Sequence, residues 1–467
     1  MIALSDQTTL RQVLEELRGQ PGQLIEIILR QAGVMEELRQ EIEKLKQEIK
    51  ELNDRNDGLG AKVDALARAA ARQAAPFRIN DQQRVVERKR PGRPKGHPGS
   101  RRAIPDHVDE EIFVPLPGCP HCGGQVGPRR PVVQYIEELP VVRPHVTRLV
   151  TQEAACPHCQ QAVRSSHPLQ VSLAEGAAGV QLGPRAVGLA AELNKKHGLT
   201  MRKTCAVLQE AFNLRLTPGG LSQALARVAT KLEPAYEKLL AGLREGAYVH
   251  SDETSWWVGG PGYWLWVFAD KTSTVYRVAQ GRGRQVLATA LGDAFSGVLV
   301  SDCLAIYDDF NPLQQKCYSH HLKAIRHALD QGPSLWLEEM RWLLQKAMSL
   351  KAGGATPAHR AELEQKLSEL LARPRPTNVE EKVRRRLDKQ KDHLFTFLDH
   401  AAVDATNNLA ERQLRPAVIA RKVSCGNKTL KGARTWEILT SLAATCTQQA
   451  QSFSQLISQT VPVFHPP

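Results

Sequence analysis

Between Met35 and Leu66 the apolar residues return with a period of seven. Met35, Ile42, Ile49, Asn56 and Val63 fall on one seam position, and Leu38, Leu45, Leu52, Leu59 and Leu66 on the other. Ile on the first seam with Leu on the second favours a parallel two-stranded coiled coil, and a single Asn in the seam fixes its register. The pattern predicts a homodimer or higher oligomer. Gly58 and Gly60 weaken the last turns. Helical spacing returns over residues 181–246. Met201–Phe212 and Pro218–Leu232 read there as two helices across a short connection, a helix-turn-helix-like pair with Arg202 and Lys203 as candidate phosphate contacts.

At Tyr248 the period changes to that of strands. Tyr248–Val258, Tyr263–Phe268 and Thr274–Val278 are rich in β-branched and aromatic residues. Gly259-Gly260-Pro261-Gly262 and Asp270-Lys271-Thr272 separate them as turns. A short helix, Gln285–Leu291, and an apolar strand ending in Ser301-Asp302 follow. Cys303–Asp308 leaves that strand, and Lys316-Cys317-Tyr318-Ser319-His320 opens the next. Residues 333–402 are helical and charged, with a break at Arg373-Pro374-Arg375-Pro376, and read as an insertion. In Asn407–Arg415, one helical face carries Asn408, Glu411 and Arg415, and Pro416 is expected to end or kink the helix.

This order predicts a multidomain α/β protein. A ribonuclease-H-like catalytic core carries a helical insertion and is preceded by a coiled coil, a zinc-ribbon-like module and a helix-turn-helix-like helical domain. The expected boundaries are 1–75 for the N-terminal helices and coiled coil, 76–108 for a basic linker, and 109–170 for the zinc-binding module. They continue with 171–246 for the helical DNA-binding domain, 247–332 and 403–467 for the two parts of the core, and 333–402 for the insertion.

Charge changes this picture toward a polyanionic partner. Lys and Arg number 62 against 49 acidic residues, a net charge of +13. Arg88-Lys89-Arg90-Pro91-Gly92-Arg93-Pro94-Lys95 resembles the core of an AT-hook. Arg90, Arg93 and Lys95 are its candidates for the negative potential of a narrow minor groove. No apolar run is long enough to cross a membrane and no signal peptide is visible, so a cytoplasmic, nucleoid-associated protein is expected. Four of the nine cysteines form two Cys-x-x-Cys pairs, Cys119/Cys122 and Cys156/Cys159. Two such turns suit a structural tetrahedral Zn²⁺ site. The β-type runs Val132–Ile136 and Val146–Thr151 between them fit a zinc ribbon, and His121 and His158 are expected to be exposed rather than ligating.

In a core of this order the first and fourth strands are neighbours and the helix after the insertion packs beside them. Asp252, Asp302 and Glu411 would then converge. Two carboxylates about 4 Å apart repel by roughly 4 kcal/mol at an effective dielectric of about 20, so three of them would hold a proton or recruit cations. Hard oxygen donors suit Mg²⁺ or Mn²⁺ and metal-assisted phosphodiester chemistry.

His250-Ser251-Asp252-Glu253-Thr254, Ser301-Asp302-Cys303, Cys317-Tyr318-Ser319-His320 and Asn407-Asn408-Leu409-Ala410-Glu411-Arg412 together resemble the DDE transposases of the bacterial insertion-sequence-66 family. Tyr318 stands where that family usually has Trp. The resemblance implies Asp252, Asp302 and Glu411 as the metal-binding triad and His320 near the active centre. It also implies zinc on the four knuckle cysteines, and Arg412, Arg415, Arg421 and Lys422 near DNA phosphates. The implied activity is cleavage at element ends and transfer of the freed 3′-hydroxyl into target DNA, with accessory proteins of the same element as possible partners. Two alternatives stand beside it: a ribonuclease-H-like nuclease without strand transfer, and a domesticated DNA-binding regulator.

Overall fold

The computed structural model describes residues 15, 17–72 and 102–460, apart from 101, 172, 173, 175, 309, 312, 375 and 376. The basic segment with Arg90, Arg93 and Lys95 lies outside them. The chain divides into two units, residues 1–136 and 137–467.

In the first unit, α1 (Pro21–Arg72) is one helix of 52 residues. It runs through Gly58 and Gly60. Its apolar seam is uncovered in the single chain: Met35, Leu38, Ile42, Leu45, Ile49 and Leu52 are each between 51% and 61% exposed. The run Val132–Ile136 is unpaired, not a strand, and Val132 and Ile136 face solvent.

The second unit begins with a short antiparallel hairpin, β1 (Glu153–Ala155) with β2 (Ala162–Arg164). The expected strand at Val146–Thr151 is extended but unpaired, because no neighbouring segment takes its hydrogen bonds. Three helices follow: α2 (Pro184–Ala191), α3 (Met201–Phe212) and α4 (Pro218–Arg244). Thr200 caps α3 by accepting from Lys203 N, and Thr217 caps α4 by accepting from Gly220 N. Asn213, in the left-handed region, ends α3. α4 runs twelve residues beyond the expected end at Leu232. It passes through Pro234 because Tyr236, Leu240 and Leu243 bury their side chains in the main core.

The sheet contains β3 (Tyr248–Trp256), β4 (Tyr263–Ala269) and β5 (Thr274–Gln280), then, after α5 (Arg284–Leu291), β6 (Val298–Ser301) and β7 (Gln314–Lys316). Its spatial order is β5-β4-β3-β6-β7. The meander is antiparallel, while β6 pairs parallel to β3 and β7 parallel to β6. Between β6 and β7 lies only a 3₁₀ turn, Ala305–Tyr307, where a helix was expected. The segment at Cys317 also differs from expectation. The strand stops at Lys316, Cys317 is an N-cap, and α6 runs from Tyr318 to Leu329.

The insertion forms α7 (Leu335–Gly353), α8 (Pro357–Ala372), α9 (Asn378–Lys389) and the short α10 (Thr396–Asp399). The chain ends with α11 (Asn408–Ser424), α12 (Leu430–Gln448) and α13 (Phe453–Thr460). Strand alternation sorts the side chains into two faces. Val249, Trp266, Phe268 and Leu299 pack with α4, α5, α12 and α13. On the opposite face Tyr248, Val298 and Val300 pack with α6 and the insertion helices, and Leu265 and Val267 pack with Leu414 and Ala417 of α11.

α11 passes through Pro416 instead of ending there. An interior proline costs about 3 kcal/mol. Burial of Leu414 and Ala417, and hydrogen bonds from Arg421 to the Thr254 and Ser255 hydroxyls at 3.0 and 2.9 Å, offset it. Gly426 closes the turn into α12 at φ +107°. A Cβ there would lie 2.5 Å from the Trp257 carbonyl oxygen, so only glycine lets the turn rest on the end of β3.

Candidate active site

Asp252 lies in the middle of β3, directly opposite Val267 of β4. It therefore shares the face that meets α11. Asp302 is the first residue beyond β6, the parallel neighbour of β3, and its Oδ1 accepts the Leu304 N–H at 2.9 Å. Glu411 stands in the first turn of α11. Burial, with Glu253, Asp302 and Glu411 acting on it, pushes the Asp252 carboxyl up to about 7. The three carboxylates thus face a common space. They have not collapsed together, since their oxygens do not all come within 4.8 Å of one another.

Glu253 points the other way. It is buried beside Trp264 and Trp266, accepts from Arg282 Nε at 3.0 Å and receives the Tyr307 hydroxyl proton. Burial raises its carboxyl. Asp308 is likewise engaged elsewhere, with Lys389 Nζ at 2.7 Å and the buried Lys316 Nζ at 3.5 Å. Asp270 accepts the Thr272 and Ser273 N–H groups, each at 2.7 Å, as a turn residue.

His320, in the first turn of α6, places Nδ1 3.9 Å from Glu411 Oε1. The joint between these parts is Asn407, which is fully buried. Its Oδ1 meets His250 Nδ1 at 3.2 Å, its Nδ2 donates to the Ser251 carbonyl at 2.8 Å, and its backbone N–H donates to Cys317 Sγ at 3.1 Å. Because Nδ2 must be the donor to a carbonyl, Oδ1 is the acceptor and His250 carries its proton on Nδ1. Burial lowers the His250 pKa to about 4, so the ring is neutral. One side chain thereby ties β3, the start of α6 and the start of α11, the elements that carry Asp252, His320 and Glu411. This role was missed in the sequence. The adjacent Asn407 and Asn408 were the available signal, but nothing local marks which of them is buried.

Arg412, Arg415 and Lys422 are exposed on α11, whereas Arg421 is half-buried and spent on β3. Arg202 and Lys203 are exposed on α3.

The two cysteine turns are each formed locally. In the first unit Gly123 N–H donates to Cys119 O and Cys119 N–H to Gly124 O, both at 2.8 Å. In the second, Gln160 N–H donates to Cys156 O and Cys156 N–H to Gln161 O, both at 2.8 Å, at the tip of the β1–β2 hairpin. N–H groups directed at sulfur lower the Cys119 and Cys156 thiols, as a zinc-binding turn requires. His121 and His158 are exposed.

Residues 179–435, more than half of the chain, match the Transposase IS66 family. The chain belongs to this family. Its match begins before α2 and ends inside α12, so it takes in the whole sheet, the insertion and all three acidic positions. Uncharacterized protein y4qI of Sinorhizobium fredii is 25% identical over 304 residues, which are 54% of this chain and 55% of that protein. The chain therefore spans about half the length of this curated relative. IS66 membership makes this a transposase-family protein, an enzyme class that acts on DNA. Among the described residues no helix is long and apolar enough to cross a membrane.

Proposed function

We propose that this IS66-family protein is a DDE transposase whose reaction centre is Asp252, Asp302 and Glu411. The observation that carries the reading is the Asp252 carboxyl, raised to about 7 on a face it shares with two other acids. Such a site lacks positive charge. The all-carboxylate donor set fits Mg²⁺ or Mn²⁺. When bound there, a pair of such ions activates the attacking oxygen and stabilises the leaving one. Water attacks the phosphorus at the element end, leaving a 3′-hydroxyl and a 5′-phosphate. That hydroxyl oxygen then attacks a target phosphorus, displacing a target 3′-oxygen, so each broken phosphodiester is replaced by a new one.

The sheet order, with the parallel β3–β6 pair at its centre, supports a ribonuclease-H-like core interrupted by the helical insertion. Around it we place DNA contacts at Arg412, Arg415 and Lys422, at Arg202 and Lys203 of the helix-turn-helix-like α3–α4 pair, and at the basic segment with Arg90, Arg93 and Lys95. Arg421 acts by bracing β3. His320 orients groups at Glu411. Cys119, Cys122, Cys156 and Cys159 hold a structural Zn²⁺. The expected domain boundaries stand as part of this proposal.

The test is cleavage and joining of labelled element-end DNA with Mg²⁺, comparing wild type with Glu411→Gln. Loss of both steps in the variant, with end binding kept, is the expected result. Unchanged activity in the variant would remove Glu411 from the site. Cleavage without joining in the wild type would favour the nuclease reading, and binding without cleavage the regulator.

The uncovered seam of α1 supports a coiled-coil dimer. Ile42→Asp together with Ile49→Asp is expected to convert a dimer to a monomer in sedimentation equilibrium, since each charge would be buried at the seam. A wild-type mass equal to the monomer at every concentration would remove the coiled coil.

A further inference from the structure

Cys317, His320 and Glu411 offer a sulfur, a ring nitrogen and a carboxylate oxygen that all lie within 4.8 Å of one another. Within residues 137–460, among the described residues, no other three such side chains meet this closely. The set mixes soft, borderline and hard donors. Mg²⁺ has no use for a thiolate or an imidazole, whereas Zn²⁺ binds all three ligand types.

Two features prepare the group for an ion. Cys317 is the N-cap of α6, and its sulfur already accepts the Asn407 N–H at 3.1 Å, with the Ser319 and His320 N–H groups also directed at it. This is the same N–H-to-sulfur pattern found at Cys119 and Cys156. Second, His320 Nδ1 is shielded from solvent and has no hydrogen-bond partner, although it lies 3.9 Å from Glu411 Oε1. Donors around tetrahedral zinc stand roughly 3.5 Å apart, so the group must close by about 1 Å or less. The His320 and Glu411 side chains, 38% and 42% exposed, are free enough to make that movement.

We infer that Cys317, His320 and Glu411 form a second zinc-class site, which when filled draws Glu411 away from Asp252 and Asp302 and switches the reaction centre off. Binding converts the Cys317 thiol to a zinc thiolate with release of one proton and no change of oxidation state. Three protein ligands leave the fourth position for water. The inhibitory half of this inference rests on the proposed role of Glu411, and the binding half does not.

The experiment uses the full-length chain with its own zinc retained. Zinc bound per chain is counted after equilibrium dialysis against Zn²⁺, for wild type, Cys317→Ser and His320→Asn. Cd²⁺ is titrated in parallel to read the thiolate-to-metal charge-transfer absorption. The expected result is one zinc fewer in each variant, and a smaller cadmium band in Cys317→Ser. His320→Asn changes a partly exposed side chain, so it reports even if Cys317→Ser fails to fold. Equal zinc counts in wild type and His320→Asn would overturn the site. In the cleavage assay, Zn²⁺ added over Mg²⁺ is expected to inhibit wild type at least about tenfold more strongly than His320→Asn, the scale of losing one ligand contact. Equal inhibition despite a lost zinc would overturn the coupling to Glu411. If the wild type proves inactive, the proposed function fails while the zinc counts still decide the site.

Discussion

Asp252→Asn is expected to lower Mg²⁺-dependent strand cleavage by about 10³-fold or more while leaving binding of element-end DNA within a few-fold of wild type. Metal ions contribute several kcal/mol of charge stabilisation in phosphodiester displacement, and about 4 kcal/mol corresponds to 10³-fold in rate. Asn keeps the shape of the side chain and can still accept the Glu253 N–H that Asp252 accepts at 2.9 Å. The change thus removes charge with little disturbance of β3. Undiminished cleavage would exclude Asp252 from the reaction centre.

The same carboxyl gives a pH signature. Its value of about 7, against an ordinary 3.8, arises from burial with Glu253, Asp302 and Glu411 around it. Between those two values the folded chain holds a proton that the unfolded chain has released. Stability of the metal-free protein is therefore expected to fall as pH rises from about 4 to 7. Over the same window the affinity for Mg²⁺ is expected to rise, because the ion competes with that proton. Asp252→Asn removes both trends. Calorimetric Mg²⁺ titrations at pH 6 and 8 would check this, and equal affinity at both would contradict it.

Asn407→Ala is expected to destabilise the second unit by about 2–4 kcal/mol. It deletes two buried hydrogen bonds and leaves His250 Nδ1 and the Ser251 carbonyl without partners, at roughly 1–3 kcal/mol for each stranded group. His250 Nε2 already lacks a partner, so the ring has no second bond to hold it. Urea unfolding followed by Trp fluorescence would measure the loss. Because Asn407 joins the elements carrying Asp252, His320 and Glu411, the variant is also expected to lose Mg²⁺ affinity under conditions where it remains folded. A change below about 0.5 kcal/mol would show that the joint carries no stability.

Much of the core was legible in the chain. The meander was readable because Gly259–Gly262 and Asp270–Thr272 interrupt runs that are apolar or β-branched, and the observed strands begin where expected at Tyr248, Tyr263 and Thr274. Asp302 was readable because four apolar residues run straight into it. The break between α8 and α9 was readable because two prolines stand at it. The errors lie where distant partners override local preference. α4 and α11 continue through Pro234 and Pro416 because the residues beyond are held by packing from other elements. Val132–Ile136 and Val146–Thr151 have strand composition but no partner strand. Cys317 has the surroundings of a strand residue, yet its backbone N–H bonds to Ser301 O and its sulfur caps a helix.

Patterns of period, turn residues and charge were enough to place the strands, the insertion and three acidic positions, and to point to a family that the match over residues 179–435 bears out. These are properties of short stretches, and short stretches carry them in full. Folding settled which acids share a face. Asp252 and Glu253 are adjacent in the chain, yet pleating sends one toward α11 and the other to Arg282 and Tyr307. It also settled that Asn407, 156 residues from Ser251, is the joint of the site, and that Cys317 and His320 gather against Glu411. Burial, hydrogen bonding and carboxylate pKa depend on distances between residues far apart in sequence, and those distances exist only once the chain has packed.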